Sequence, residues 1–593
     1  MKKIIILALF LFTFPSFAKN SLVNHPSPYL ALHGNDPVDW VEWGEPAIER
    51  AKKENKLLFV SVGYFACHWC HVMQRESFSD KAIATKLNKN YISVKVDREL
   101  SPVLDKQLIE FVQVTNGTAG WPLNVFVTPD GYSLVGMTYL PPKNFSSVLD
   151  QLDGKWSEEA ASLSNRAKEM SGTLATMLNK QELPIATSMK LLESKFVETA
   201  MQYADHLNGG FGERMKFPQV PKLMALLKLN RELKNEDADD FLQLTFDQAI
   251  SQGLHDEIAG GFYRYTTDPD WETPHFEKMI YTNALMPIAL FDAAVVYNKP
   301  EYRETAIETL RYLQNEMRGS SNAYISSLSA VDDKNVEGGY YLWQQADLKK
   351  LLTTGELTTA NAFWNMTRPN EHPTGNLPRQ KLNIKELAKQ MSKPELEIQT
   401  TVASIKKKLK QYRNKNRVIP RDTKLLAGMN GLTLTAFAKG ISYDKSFQQS
   451  GDKLSKFLIN LWDGKTLRRS AANNKPGGLY DYAAVSWGLM HWGIENNDSN
   501  AKKIGQDIAS IAWDKFYKDG FWIEDSNSLL PSTKQLAHLP DSALISAEAL
   551  LLEASFMTKD PRLVKKAKTV KKIVTRALET DLFSYASMLS IKE

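Results

Sequence analysis

Leu57-Leu58-Phe59-Val60-Ser61-Val62, then Gly63-Tyr64-Phe65-Ala66, then Cys67-His68-Trp69-Cys70-His71, is the stretch on which the fold turns. Its first six residues are apolar and β-branched, the pattern of a buried strand. A four-residue loop follows, and Cys67 then stands where a helix should begin. There the helix dipole and free N–H groups stabilise a thiolate, the attacking species in disulfide exchange. The 593 residues contain only these 2 cysteines, so neither has another thiol in the chain to bridge to. A bridge between them closes too small a loop to stabilise the fold much. Residue types alone leave three chemistries open: a redox pair, a c-type haem attachment written C-x-x-C-H, and a zinc site recruiting His68 or His71. The preceding apolar strand favours the redox pair. A zinc site would crowd its ligands onto one helical turn, without a second ligand pair.

Strands and helices alternate as far as Leu140. A helix is expected from the cysteine pair to about Asn88, a strand over Tyr91 to Val96, and a helix over Val103 to Val114. Leu123 to Val127 and Tyr132 to Val135 flank Thr128-Pro129-Asp130-Gly131, which has hairpin turn chemistry. The order β-α-β-α-β-β describes a small α/β sandwich. From about Thr187 the pattern becomes helical, as in Ser188 to Tyr203, Asp240 to Leu254, Asn283 to Val296 and Ser542 to Phe556. Glycine-aromatic turns recur between helices: Gly209-Gly210-Phe211, Gly260-Gly261-Phe262, Gly338-Gly339-Tyr340 and Gly477-Gly478-Leu479-Tyr480, with Asp519-Gly520-Phe521 a looser copy. Repeated helix pairs of this kind fit a closed helical ring. Six pairs would average roughly 70 residues each, longer than common helical repeats.

Met1 to Ala18 reads as a signal peptide: Lys2 and Lys3, an apolar core from Ile4 to Phe14, and Ser16-Phe17-Ala18 as cleavage site. The apolar run is shorter than the roughly 20 residues a membrane span needs, and no later segment reads as a span. Removing Lys2 and Lys3 lowers the formal charge of +5 by two. So mild a balance predicts neither nucleic-acid nor membrane binding. Lys406-Lys407-Lys408 and Arg413 to Arg421 read as a solvated basic face. A periplasmic or secreted protein is expected.

Cys67 to Cys70 after a strand, with Trp121-Pro122 just before another, resembles the thioredoxin fold. That resemblance implies a cis Trp121-Pro122 bond lying against the pair. Ser61 stands near the position where thioredoxin carries a buried acid. Longer phrases narrow the match: Ser27-Pro28-Tyr29-Leu30, Asn35-Asp36-Pro37-Val38-Asp39-Trp40, Glu76-Ser77-Phe78, Val96-Asp97-Arg98-Glu99 and Gly120-Trp121-Pro122-Leu123-Asn124. They resemble the spermatogenesis-associated protein 20 family. The resemblance implies a multidomain chain: an α/β thioredoxin-like domain (residues 19–165) after the signal peptide (1–18), then an all-α (α/α)6 toroid (186–593). The pair's place at a helix start in this thioredoxin-like context gives the first functional expectation, an exported thiol-disulfide oxidoreductase with Cys67 as nucleophile and Cys70 as resolving thiol. Trp69, Trp121 and Pro122 would line the groove for a thiol or disulfide protein partner. No metal or cofactor is expected.

Such toroids are similar to six-hairpin glycosidases and sugar 2-epimerases. Asp256, Arg264, His275 and Glu277, clustered around Pro274-His275-Phe276-Glu277-Lys278-Met279, are the candidate toroid site. A second expectation follows, that of a carbohydrate-binding or carbohydrate-modifying toroid with an accessory thioredoxin-like domain. Thr282 and Met429 stand where the family usually carries an acid and a tryptophan, and Ser329 to Asp332 lacks acids that relatives tend to carry. Asp422, Lys424, Asn430, Asp481 and Tyr482 match family positions without an assigned role.

Overall fold

The structure, a computed structural model, describes residues 20–181, 183–472, 475–525, 529–531 and 536–593. The expected signal peptide lies outside them. A short helix α1 (Pro28–Leu32) precedes a five-stranded sheet built from β1 (Val41–Glu42), β2 (Leu58–Gly63), β3 (Ile92–Asp97), β4 (Leu123–Val127) and β5 (Ser133–Met137). Between the strands run α2 (Glu45–Glu54), α3 (His68–Met73), α4 (Lys81–Asn90) and α5 (Pro102–Asn116). The sheet order is β1-β3-β2-β4-β5, parallel across the first three strands and antiparallel beyond. Alternation along β2 sends Leu58, Val60 and Val62 to one apolar layer. Phe59 faces the other layer, which holds Cys67, Cys70, Tyr29, Trp40 and Phe78.

The helix expected to run unbroken to Asn88 is interrupted. After α3 comes a π-turn, Gln74–Phe78, and the chain restarts at Lys81. Asp80 causes the restart: its carboxylate accepts the free N–H groups of Ala82 and Ile83, both at 2.8 Å. A long helix, α6 (Pro142–Gln181), then leaves the α/β domain and bends at Glu159. The expected domain boundary at residue 165 falls inside it.

The remainder is a two-layered ring. Its inner helices are Val220–Leu233, Ile280–Tyr297, Ala427–Gly440, Leu479–Glu495, Ala547–Thr558 and Ala586–Leu589. Each packs on the next, and the last returns to the first. Met189–Tyr203, Glu236–Ser251, Pro300–Glu316, Ser446–Asn460, Ser499–Phe516 and Pro561–Lys571 back them from outside. This closed arrangement is an (α/α)6 toroid. Residues 343–412 form an insertion with its own small core around Trp343, Trp364 and Ile405.

Two expectations give way here. Against the expectation of no span after the signal peptide, Ile280–Tyr297 has the length and apolarity of one, with mean hydropathy 1.4. It is apolar on most sides because inner helices flank it and an outer helix backs it, with 72% of the span buried. The basic stretch is not simply a solvated face. In the helix Glu395–Asn416 the inward positions are Val402, Ile405, Leu409 and Arg413. Arg413 is 1% exposed and pairs with Asp256, while Lys406 reaches Glu257 at 3.3 Å.

Candidate functional site

Strand β2 ends at Gly63, and the loop Tyr64 to Ala66 delivers Cys67 to the N-cap of α3. Cys67 and Cys70 are joined as a disulfide. The backbone N–H of Cys70 donates to Cys67 Sγ at 3.2 Å, so the helix start already offers a donor to that sulfur. Trp69 is exposed and packs its ring on Tyr139 at 5.1 Å. The Trp121-Pro122 bond is cis. Trp121 Nε1 donates to Asp105 Oδ1 at 2.7 Å, and the Arg98 guanidinium lies over the Trp121 ring at 3.8 Å.

The toroid closes over this face. Gly260 and Gly261, at φ 82 and 80°, make the turn that leads into Arg264, and a Cβ on Gly261 would strike the Tyr312 ring and Asn283. Arg264 Nε donates to Tyr281 Oη at 3.1 Å, and Arg264 pairs with Glu277 at 3.2 Å. Tyr64, from the cysteine loop, donates to Glu277 Oε2 at 2.8 Å and accepts from Arg264. Ala330 N donates to Ala66 O at 3.3 Å. His275 Nδ1 meets Glu337 Oε1 at 2.5 Å, and the other oxygen of Glu337 stands 3.4 Å from His68 Nδ1. The His68 and His275 rings stack at 5.8 Å. Cys67 is thereby left 3% exposed.

Cys67, Cys70, Trp69, Trp121, Pro122, Arg264, His275 and Glu277 therefore occupy one interdomain site. Asp256 does not. It is buried with Lys278 at 2.7 Å and Arg413 at 3.0 Å, and its carboxylate meets none of the site's side chains. Glu277 accepts from Tyr64 of the cysteine loop, whereas its neighbour Lys278, at the start of the short strand Lys278–Met279, donates to Asp256 and to Gly260 O. Tyr64, Arg98 and Glu337 also belong to the site: Tyr64 and Arg98 stand inside quoted stretches without a role of their own, and Glu337 stands outside them. Glu337 in particular gains its role only from a loop brought across by the toroid. Asp422 and Lys424 meet Asp97 and Glu99 across the domain boundary, and Asn430 braces the backbone of Tyr324. His71, which the haem pattern needs as a ligand, is half-buried with Nε2 bonded to Phe65 O at 2.8 Å. Among the described residues no three His, Cys, Asp or Glu side chains converge to hold a metal ion.

Burial pulls the His275 imidazole down, but the Glu337 hydrogen bond and charge outweigh it and raise its pKa above the usual histidine value. Burial pushes Glu337 up, and the His275 hydrogen bond wins and holds it low. A raised histidine stabilises below its unfolded pKa and loses that contribution as pH rises through the folded value. A lowered carboxylate stabilises above its unfolded pKa and loses it as pH falls through the folded value. The pair should therefore support the site most between those two limits. Glu337→Gln should bring the His275 titration, followed by NMR, down from its raised position. An unmoved titration would show that the pair is not coupled in solution.

A family model described as "Protein of unknown function, DUF255", of the thioredoxin DsbH type, matches residues 19–175. "Uncharacterized protein B0495.5" of Caenorhabditis elegans is 31% identical over 76% of this chain and 66% of its own length. Spermatogenesis-associated protein 20 of Mus musculus is 31% identical over 80% of this chain and 67% of its own. The chain belongs to the spermatogenesis-associated protein 20 family. The match thus spans about two thirds of each of these relatives. A solved "sugar epimerase from ruminal bacterium" is 12% identical, with 64% of this chain and 85% of that one aligned at a TM-score of 0.40. In this member of the spermatogenesis-associated protein 20 family, the toroid assignment rests on the closed ring of inner helices described above.

Proposed function

We propose that the protein is an exported thiol-disulfide oxidoreductase, periplasmic or secreted, in which Cys67 attacks and Cys70 resolves. One observation carries this reading: a disulfide at a helix N-terminus, lying in a wall built by both domains. Arg264, Glu277, His275 and Glu337 all come from the toroid, which gives that domain the task of selecting the thiol or disulfide protein partner. Trp69, the exposed residue of the pair's helix, and the Trp121-Pro122 edge would receive the partner's extended chain. Export rests on the signal-like stretch Met1 to Ala18.

Cys70→Ser should trap partners as mixed disulfides on Cys67, resolved by non-reducing electrophoresis and released by thiol. Cys67→Ser should trap none. If Cys70→Ser captures nothing and the wild-type pair never changes redox state in cells, the reading fails. The carbohydrate reading needs His275 and Glu277 open to a ligand, and both already hold protein partners. A sugar bound by wild type and lost in His275→Ala would restore it.

A further inference from the structure

Tyr29 belongs to the phrase Ser27-Pro28-Tyr29-Leu30, to which no part of the redox chemistry has yet been assigned. It lies on α1, which packs against β3, and is 1% exposed. Its hydroxyl is buried and has no hydrogen-bond partner among the described residues. Native proteins leave few buried polar atoms unmet, and each such atom calls for a reason. The reason is visible above Gly63. A Cβ there would collide with Tyr29 Oη and stand 2.8 Å from Cys70 Sγ, so the hydroxyl and the sulfur share one small space over a glycine.

The same layer holds a buried lysine, pulled down by burial to about 7 and so placed to keep a proton once an anion forms beside it. Lys95, 1% exposed, pairs in register with Ser61 and donates to Ser61 Oγ at 2.9 Å. Its ammonium stands 4.5 Å from the Phe78 ring centroid, 5.1 Å from Trp40 and 5.4 Å from that of Tyr29. Among the described residues no carboxylate comes within ion-pair distance of it. The other charged or titratable groups turned toward this layer are already engaged. Asp97 is held by Ser27 and Lys424, Asp36 by His33, and His71 by Phe65 O.

We propose that Tyr29 is the hydrogen-bond donor that receives the Cys70 thiolate when the Cys67–Cys70 bond opens, with Lys95 as the balancing buried charge. This rests on the redox reading of the pair. In the step concerned, a partner thiolate attacks Cys67 Sγ. The partner-S–Cys67 bond forms, the Cys67–Cys70 bond breaks, and Cys70 leaves with the electron pair. That thiolate is born out of reach of water, where an unpaired charge is strongly disfavoured. The Tyr29 O–H supplies a charge-assisted hydrogen bond, which is stronger than a neutral one. A better-stabilised leaving thiolate departs faster and favours the reduced state.

The test uses the full chain. In a Cys67→Ser background, ultraviolet thiolate absorbance follows the ionisation of Cys70. Tyr29→Phe, which removes only the hydroxyl, should weaken that ionisation at least tenfold, and Lys95→Met should do the same. With both cysteines present, each change should shift the dithiol-disulfide equilibrium at least tenfold toward the disulfide, about 30 mV in potential. Tyr29→Phe keeps the ring packing, so an unchanged ionisation and potential in that variant overturns the proposal. An effect in Lys95→Met alone also overturns the assignment to Tyr29. These readouts need no partner, so failure to trap one with Cys70→Ser would count against the oxidoreductase reading and leave this result standing.

Discussion

Lys424→Met should lower stability by about 3–5 kcal/mol at neutral pH, the usual effect of removing one partner from a buried ion cluster. Lys424 Nζ lies 2.6 Å from Asp97 and 3.1 Å from Glu99 of the α/β domain, and 2.5 Å from Asp422 of the toroid. All of these side chains are buried or nearly so. Without the lysine, three carboxylates share one dry space. Burial raises the pKa values of Glu99 and Asp422 even in the intact cluster, working against the Lys424 charge. An acid whose folded pKa is raised destabilises the fold as pH climbs from the unfolded value through the folded one. The loss in Lys424→Met should therefore be largest above neutrality and shrink as pH falls and the acids take up protons. Denaturant unfolding at several pH values measures this. A loss under about 1 kcal/mol would mean that water screens the cluster as it does a surface pair. Because the cluster ties the domains together, the variant should also expose Cys67, and after reduction the thiol should react faster with a small alkylating reagent.

The α/β domain was legible because its signals are local. A buried strand, a cysteine pair at a helix start and a turn at Pro129-Asp130-Gly131 each lie within a few residues. Leu123–Val127 falls at its expected limits, and the Trp121-Pro122 bond is cis as the family phrase implied. The toroid was legible as a class from helical periodicity and glycine-aromatic turns. Its composite site was not. Arg264, His275 and Glu277 could be picked out as a phrase, but that they face Tyr64, His68 and the cysteine loop depends on how two domains dock. No periodicity encodes a contact such as Tyr64 to Glu277, 213 residues apart. Asp256 misled for the same reason. Neighbours in sequence turn to different partners, and only Arg413, 157 residues on, shows where Asp256 is held. Charge runs misled too, since Arg413 sits in a basic stretch but occupies the inward position of its helix.

Asp256→Ala should lower stability by about 3–5 kcal/mol and leave the reduction potential of Cys67–Cys70 unchanged. The carboxylate is fully enclosed, and burial alone would raise its pKa. The charges of Arg413 and Lys278, with their hydrogen bonds, overcome that and hold it far below the ordinary carboxylate range. Burial also pushes Lys278 down to about 8, against the attraction of Asp256. Removing Asp256 leaves two buried cations without their shared carboxylate, Lys278 keeping only the Gly260 carbonyl and the Tyr263, Tyr312 and Tyr341 rings around it. A carboxylate with a lowered folded pKa stabilises above its unfolded value and yields only as pH falls through the folded one. The wild-type contribution should accordingly persist into strong acid. Adding Lys278→Met to Asp256→Ala should recover part of the loss, because one stranded charge is then gone. A catalytic carboxylate would behave in the opposite way, with activity lost and the fold kept. If Asp256→Ala folds as stably as wild type and loses only function, the residue belongs to the reacting centre and the site extends to the Asp256–Lys278 pair.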